Sequence, residues 1–135
     1  MKGQATKMPT KFRLYMNENN IWHKTIASQS KEIPTFRKML NTAGDKRKLV
    51  EAGKLAVSDV FSKELQVQQQ EMEQLRHAID EQQKRLIHDC ESEDENKYDI
   101  DKLCGQDILR DRIKAVEKRY IDLKCNFMNY IATLL

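Results

Sequence analysis

Apolar residues recur every three or four positions through most of the chain, which is the spacing of an amphipathic helix. The clearest run lies near the C-terminus, where spacings of four and three alternate without exception. It comprises Leu109, Ile113, Val116, Tyr120, Leu123, Phe127, Tyr130 and Leu134. Such alternation is typical of a coiled-coil seam, in which each side chain faces a neighbouring helix. The pattern predicts that this seam is the main partner-binding surface of the protein.

A second long helix is predicted over residues 46–90, which contain no proline and only Gly53 as a weak point. Its seam is less apolar because two glutamines occupy core positions. The seam comprises Leu65, Gln68, Met72, Leu75, Ile79, Gln82 and Leu86. Residues 91–97 are charged and lack apolar anchors, so they predict a connection between the two helices; a continuous helix with a frayed acidic stretch is the alternative. Two helices joined in this way form an antiparallel hairpin.

The first third of the chain predicts shorter helices. Residues 11–30 carry apolar side chains at helical spacing, and Pro34 should interrupt the helix because proline disfavours helix at the residue before it. A short helix should follow from Thr35, and Gly44 should end it before a new helix begins near Lys46. Residues 1–10 are polar and show no periodicity, which predicts a disordered basic lead.

The predicted fold class is therefore all-α: a long antiparallel helical hairpin or coiled coil with shorter N-terminal helices. Four glycines and two prolines in 135 residues agree with long helices rather than many turns. The predicted units are a lead over 1–10, short helices over 11–44 and the hairpin over 45–135. Further apolar residues widen the stripe of the last helix beyond what one partner helix covers, which favours a bundle or an additional partner helix. They are Ile108, Ile121, Met128 and Ile131.

The charge of the chain is distributed unevenly. Residues 1–48 contain 11 Lys/Arg and 3 Asp/Glu, or +8, whereas residues 49–135 contain 13 and 18, or −5. The basic end favours contact with nucleic acid, anionic lipid or an acidic protein surface, and charge alone does not choose among them. A solvated basic end without a ligand is the alternative. The predicted basic contact is formed by Arg37, Lys38, Lys46, Arg47 and Lys48.

Residues that could support catalysis or metal binding occur only in incomplete patterns. The stretch 94–99 resembles the start of a calcium loop, but a glycine is missing at its sixth position and Gly105 stands where a glutamate is needed. Cys90, Cys104 and Cys125 are too widely spaced for a zinc site of the Cys-x-x-Cys kind. We therefore predict no enzyme activity, no metal and no cofactor. Three cysteines without an apolar leader, and no membrane span, predict a reducing intracellular compartment.

In class and composition the chain resembles small coiled-coil subunits of cytoskeletal, ciliary, centrosomal, kinetochore or vesicle-tethering assemblies. This resemblance implies a scaffold protein of the cytoplasm, associated with the cytoskeleton or a cilium, that binds other coiled-coil proteins or itself. The alternative is a nucleic-acid-binding protein with a basic N-terminal arm and a coiled-coil oligomerisation region. The nucleus also remains open as a location.

Overall fold

The computed structural model describes residues 10–43, 45–51, 53–91 and 103–134, and every regular element in these ranges is a helix. The predicted all-α class is therefore confirmed. The helices are α1 (Thr10–Ala43), α2 (Lys46–Glu51), α3 (Leu55–Glu91) and α4 (Leu103–Leu134). The predicted lead over 1–10 and connection over 91–97 lie largely outside the described residues.

Contacts between side chains give the direction of each long helix. Glu71 and Gln82 of α3 pair with Arg119 and Gln106 of α4, so α3 runs opposite to α4. In the pairs that join α1 to α4, the residue numbers rise together along both helices, so these two helices run in the same direction. They are Glu18 with Arg110, Glu32 with Lys124 and Phe36 with Phe127. The three long helices lie side by side, with α1 packed along both α3 and α4.

Helix α1 is continuous for 34 residues, so the predicted interruption at Pro34 is wrong. A proline inside a helix removes one backbone hydrogen bond and costs about 3 kcal/mol. Pro34 itself is exposed. Its neighbours Ile33 and Phe36 are buried, at 1% and 5% exposure. Their packing in the core that α1 shares with α3 and α4 outweighs the local cost.

The predicted continuous helix over 46–90 is also wrong, because α2 ends at Glu51 and α3 begins at Leu55. Gly53 takes the left-handed backbone conformation, with φ of 68°. The amide of Lys54 donates to the Leu49 carbonyl at 2.7 Å, and that of Gly53 donates to the Val50 carbonyl at 3.1 Å. These two bonds form a Schellman motif, which ends a helix at a glycine. The predicted helix end at Ala43 and start at Lys46 are confirmed.

One main apolar core runs between the three long helices. Helix α3 contributes to it four side chains with no exposed surface, all from its predicted seam: Leu65, Met72, Leu75 and Ile79. Leu86 of the same seam is equally buried but packs with Tyr15 in a second, smaller cluster. Helix α1 contributes Ile26, Ile33, Phe36 and Leu40, which lie in the same core as the buried residues of α4. The seam of α4 thus meets two helices of its own chain. Of the residues predicted to widen it, Ile131 is buried in this core, whereas Ile108, Ile121 and Met128 remain exposed.

Candidate interaction surfaces

The predicted partner-binding seam of α4 lies inside the bundle. Tyr130 and Leu134 are partly buried against the core. The other six members are buried: Leu109, Ile113, Val116, Tyr120, Leu123 and Phe127. Helices α1 and α3 already cover these side chains. A partner helix could contact the full seam only by displacing an element of the bundle.

Aromatic rings fill the end of the bundle where α4 terminates. The ring of Phe127 lies 5.3 Å from that of Phe36 and 5.7 Å from that of Phe61, between ring centroids. Phe61 also stacks on Tyr130, with 5.0 Å between the centroids. The Tyr130 hydroxyl donates to the carbonyl of Lys54 at 3.1 Å and accepts from Ser58. This cluster therefore joins all three long helices and ties them to the α2–α3 corner.

A buried polar layer joins the helices towards the opposite end. The Gln106 amide donates to Asn19 Oδ1 at 2.8 Å and to Glu18 Oε1 at 2.9 Å, while the Gln82 amide donates to Gln106 Oε1 at 3.3 Å. Asn19, Gln82 and Gln106 are almost completely buried. Hydrogen bonds between buried side chains favour a single helix register, because sliding a helix by one turn would break them. The Asn19 amide nitrogen is buried without a partner among the described residues.

Sequence reasoning missed most of this layer. Gln82 was expected at a core position of α3, and its burial at 2% exposure agrees with that. Gln106 lies seven residues before Ile113 and so continues the seam of α4 beyond its predicted start at Leu109. Asparagine lowers the helix propensity of this part of α1, so Asn19 by itself does not indicate a core position. A polar residue at heptad spacing from an apolar seam is the signal that identifies such a layer.

Two ion pairs hold α1 against α4 at the surface. Arg110 donates from Nε and Nη2 to the two carboxylate oxygens of Glu18, at 2.9 and 2.8 Å, and its guanidinium lies 6.0 Å from the centre of the Trp22 ring. The hydrogen bonds that Arg110 donates to Glu18 raise the pKa of the guanidinium further above its already high value. The guanidinium therefore stays charged across the ordinary pH range.

The second ion pair joins Lys124 Nζ to Glu32 Oε2 at 2.9 Å. The hydrogen bond from Lys124, and after it the Tyr120 hydroxyl, lower the pKa of the Glu32 carboxyl. Burial, followed by the neighbouring Glu32 carboxylate, raises the pKa of Tyr120. The tyrosine is therefore a neutral hydroxyl beside a charged ion pair.

The predicted basic contact lies at the corner between α1 and α2. Lys38 and Lys48 are exposed, and Arg37 is half-buried. The side chains of Lys46 and Arg47 lie outside the described part of the chain. Arg37 and Lys38 lie more than one turn before the end of α1 at Ala43, so the helix dipole, which acts on charges in the last turn, does not explain them.

Large aliphatic side chains remain exposed on the outside of the bundle. Helix α1 exposes Leu14 and Ile21, at 60% and 56%. The aliphatic residues that α3 and α4 leave exposed are Val57, Val60, Val67, Ile87, Ile108, Ile121 and Met128. Single exposed aliphatic residues are ordinary, but rows of them at helical spacing are typical of surfaces that contact other proteins.

Two open grooves follow the helix boundaries. The α3–α4 groove, with a volume of about 410 Å³, has a mixed charged and apolar lining that includes Glu64, Val67, Arg119 and Leu123. The α1–α4 groove, also about 410 Å³, is mainly apolar and is lined by Thr35, Lys38, Met39, Thr42, Ala43 and Ile131. Both are shallow and suit an elongated ligand better than a small molecule.

Groups that could coordinate a metal are dispersed in the part of the chain that the structure describes, where no three His, Cys, Asp or Glu side chains converge. The calcium-like stretch 94–99 and the side chains of Cys90 and Cys104 lie outside that part. Cys125 is a free, exposed thiol on α4. None of the four described helices combines the length and apolarity that crossing a bilayer requires.

Comparison with protein-family models, curated proteins and solved structures finds no match to this chain. The fold therefore defines its class by architecture: a chain of three long helices around one core, with a short fourth helix at a corner.

Proposed function

We propose that this protein is a non-enzymatic interaction subunit of a larger intracellular assembly, and that its helices contact helices of other proteins in coiled-coil fashion. The observation that carries the proposal is the aliphatic surface left outside a core that is already filled. The three long helices bury one seam each, yet Ile21 and Ile121 are still 56% and 62% exposed. Burying such side chains against a partner removes apolar area from water, which favours association.

The shape of the bundle supports the same function. An element of 34 residues extends about 50 Å, so the protein presents long, narrow faces. Extended helical faces suit helix-in-groove recognition, in which anchors at spacings of three and four fill a groove. A scaffold of the cytoplasm, associated with the cytoskeleton, a cilium or vesicle tethering, is the setting that we propose for such contacts.

Site-specific photo-crosslinking in the native cell tests this proposal. A photoreactive residue is placed singly at Ile21, Val67 or Ile121, and at Glu73 or Lys118 as exposed polar controls. We expect a discrete crosslinked protein at one or more aliphatic positions and none at the controls. The crosslinked protein, once purified, should form a complex of fixed stoichiometry with the full chain.

Identical crosslinking at all five positions, or none at any of them, would contradict the interaction role. The alternative function has its own signature. Retention on a generic DNA or RNA duplex at low salt, with a steep loss as salt rises, would move the proposal to nucleic-acid binding through the basic N-terminal region.

A further inference from the structure

Helix α1 carries a second row of uncharged residues in addition to its buried seam. The row repeats every seven residues and comprises Leu14, Ile21, Ser28, Thr35 and Thr42. All five are exposed. Seven-residue spacing keeps side chains on one side of a helix, so the row forms a stripe about 42 Å long on the outside of the bundle. We name it the outer stripe.

A row of lysines runs beside the outer stripe. Lys24, Lys31 and Lys38 are also seven residues apart, and each lies three or four residues from two members of the stripe. Positions three and four apart are neighbours on a helix surface. All three lysines are exposed, and none forms an ion pair with another described residue.

The lysine row differs from an ordinary solvated face, which carries charges of both signs. Helix α1 contains six Lys/Arg and only two acids, Glu18 and Glu32. Both acids point towards α4, where they pair with Arg110 and Lys124. The outward side of α1 is therefore cationic, without acids of its own helix to neutralise it.

The C-terminal half of the outer stripe borders an open groove. Thr35, Lys38 and Thr42 line the α1–α4 groove together with the apolar side chains of Met39 and Ile131. The hydroxyl residues of the stripe are short, so the backbone of another helix can come close to them. The N-terminal half of the stripe differs, because its two aliphatic members provide larger anchors. Stripe and groove together offer apolar contacts, room for a backbone and the length that a helix requires.

The charge of this surface decides which helix fits. If a second copy docked antiparallel about Ser28, Lys24 would face Lys31 of the other copy, and like charges repel. In a parallel copy the lysine row would face Glu18 and Glu32, whose carboxylates are already paired within each chain. A partner helix with acidic residues along one flank would instead place its carboxylates opposite all three lysines. We propose that the outer stripe binds an acidic amphipathic α-helix of another protein, with the lysine row contacting its carboxylates.

Peptide binding to the full chain tests the proposal, which rests on the interaction role above. The probe is a synthetic helix about 28 residues long, matched to the length of the stripe, with leucines at alternating spacings of three and four and glutamates on the flanks. Its counterpart has lysines in place of the glutamates. Fluorescence anisotropy should show the glutamate peptide binding at least about tenfold more tightly, and its affinity should fall as salt rises.

Charge reversal locates the site. A chain with Lys24→Glu, Lys31→Glu and Lys38→Glu should bind the glutamate peptide about tenfold more weakly and the lysine peptide more tightly. The matched control reverses three exposed lysines elsewhere, with Lys63→Glu, Lys84→Glu and Lys118→Glu, and should retain the original preference. Ile21→Asp should also weaken binding. Because every substituted residue is exposed, circular dichroism should show unchanged helix content in all variants.

Three results would overturn the proposal: no binding of either peptide, equal binding of both, or the same loss in the control as in the lysine-row variant. Sedimentation could give a fourth such result. If the wild-type chain were a dimer and the Ile21→Asp variant a monomer, a second copy of the chain would occupy the outer stripe. A cellular crosslink at Val67 with no peptide binding would overturn the docking site while the interaction role stands. No crosslink at any aliphatic position would contradict the interaction role itself.

Discussion

At the scale of single residues, position in the bundle explains more than residue type. Phe127 and Met128 are neighbours in sequence and both are large and apolar, yet Phe127 is fully buried and Met128 is 42% exposed. Phe127 contacts the rings of Phe36 and Phe61, which come from the other two long helices. It is therefore a point at which all three helices meet.

Truncating Phe127 should destabilise the protein strongly. Phe127→Ala removes a buried ring and leaves a cavity, so we expect a loss of about 3–5 kcal/mol in the free energy of unfolding. Met128→Ala, the adjacent control, should change it by less than about 0.5 kcal/mol. Denaturant unfolding followed by circular dichroism measures both. Equal effects of the two substitutions would show that the ring cluster does not hold the helices together.

Leu123 should be more tolerant than Phe127, although it lies in the same seam. Its side chain is 9% exposed and lines the α3–α4 groove, so the surroundings can relax into open space. We expect Leu123→Ala to cost about 2 kcal/mol, at the low end for buried leucines. Lys118→Ala, exposed on the same helix, should cost less than about 0.5 kcal/mol. Thermal melts in which Leu123→Ala lowered the melting temperature more than Phe127→Ala did would contradict this order.

The ion pair between Glu32 and Lys124 should make part of the stability depend on pH. Because the folded protein lowers the pKa of Glu32 below its ordinary value of 4.5, the contribution is complete above that value and is lost as pH falls through the lowered pKa. Both side chains are more than a third exposed, so the pair contributes only about 0.2–1 kcal/mol.

Glu32→Gln should therefore destabilise the protein slightly at neutral pH and have a smaller effect in acid, below the lowered pKa of Glu32, as urea unfolding under both conditions would show. Glu73→Gln changes an exposed carboxylate that pairs with no other described residue, and it should have no effect under either condition. A larger effect of Glu32→Gln in acid than at neutral pH would reverse the sign and contradict the ion pair.

At the scale of helices, local sequence signals were decisive only where no strong packing opposed them. Pro34 is a strong helix-breaking signal, but α1 continues through it because Ile33 and Phe36 are buried on either side. Gly53 is a weaker signal, yet α2 ends just before it. The chain must reverse direction between α1 and α3, and a residue that adopts positive φ without strain permits the turn.

Replacing Gly53 tests this account of the corner. A Cβ at this position would meet no atom within 4 Å, so Gly53→Ala adds only backbone strain, which costs about 1 kcal/mol in the left-handed conformation. Gly53→Asn should cost less, since asparagine adopts that conformation more readily. Ser62→Ala, at an exposed position inside α3, should be close to neutral. Differential scanning calorimetry measures the melting temperatures of these variants. A higher melting temperature for Gly53→Ala than for the wild type would contradict this account.

At the scale of the whole molecule, α1 completes the core that α3 and α4 begin. It contributes Ile26, Ile33, Phe36 and Leu40 to that core, and through Asn19 it joins the polar layer. The bundle therefore has an aromatic end and a polar end, and α1 takes part in both. Helices α3 and α4 without α1 would expose a continuous apolar face to water.

Deleting residues 1–44 should remove cooperative folding. The remaining chain keeps the predicted hairpin over 45–135, but its exposed seam should bind the dye ANS and cause the chains to associate. Calorimetry and sedimentation measure both properties. A monomer that melts cooperatively at the wild-type temperature would show instead that 45–135 is an independent unit and that α1 is an accessory to it.

The sequence alone was sufficient for the helical class and for most of the core positions in α3 and α4. Heptad spacing is a local property: once a helix forms, residues such as Leu65, Ile79 and Leu86 must lie on one side of it, whatever the neighbour is. The corner at Ala43 was predictable for the same reason, because glycine and capping residues act within a few positions.

Only the tertiary structure decided what the seams face. Periodicity shows that a side of a helix is covered, but the same stripe can meet a helix of its own chain or of another. The choice depends on contacts between residues such as Asn19 and Gln106. These two are 87 positions apart, so no local pattern indicates that they pair with each other. The continuity of α1 through Pro34 has the same origin, because packing among the three long helices outweighs the local preference of proline against a helix interior. That packing covers the α4 seam and leaves the outer stripe of α1 exposed.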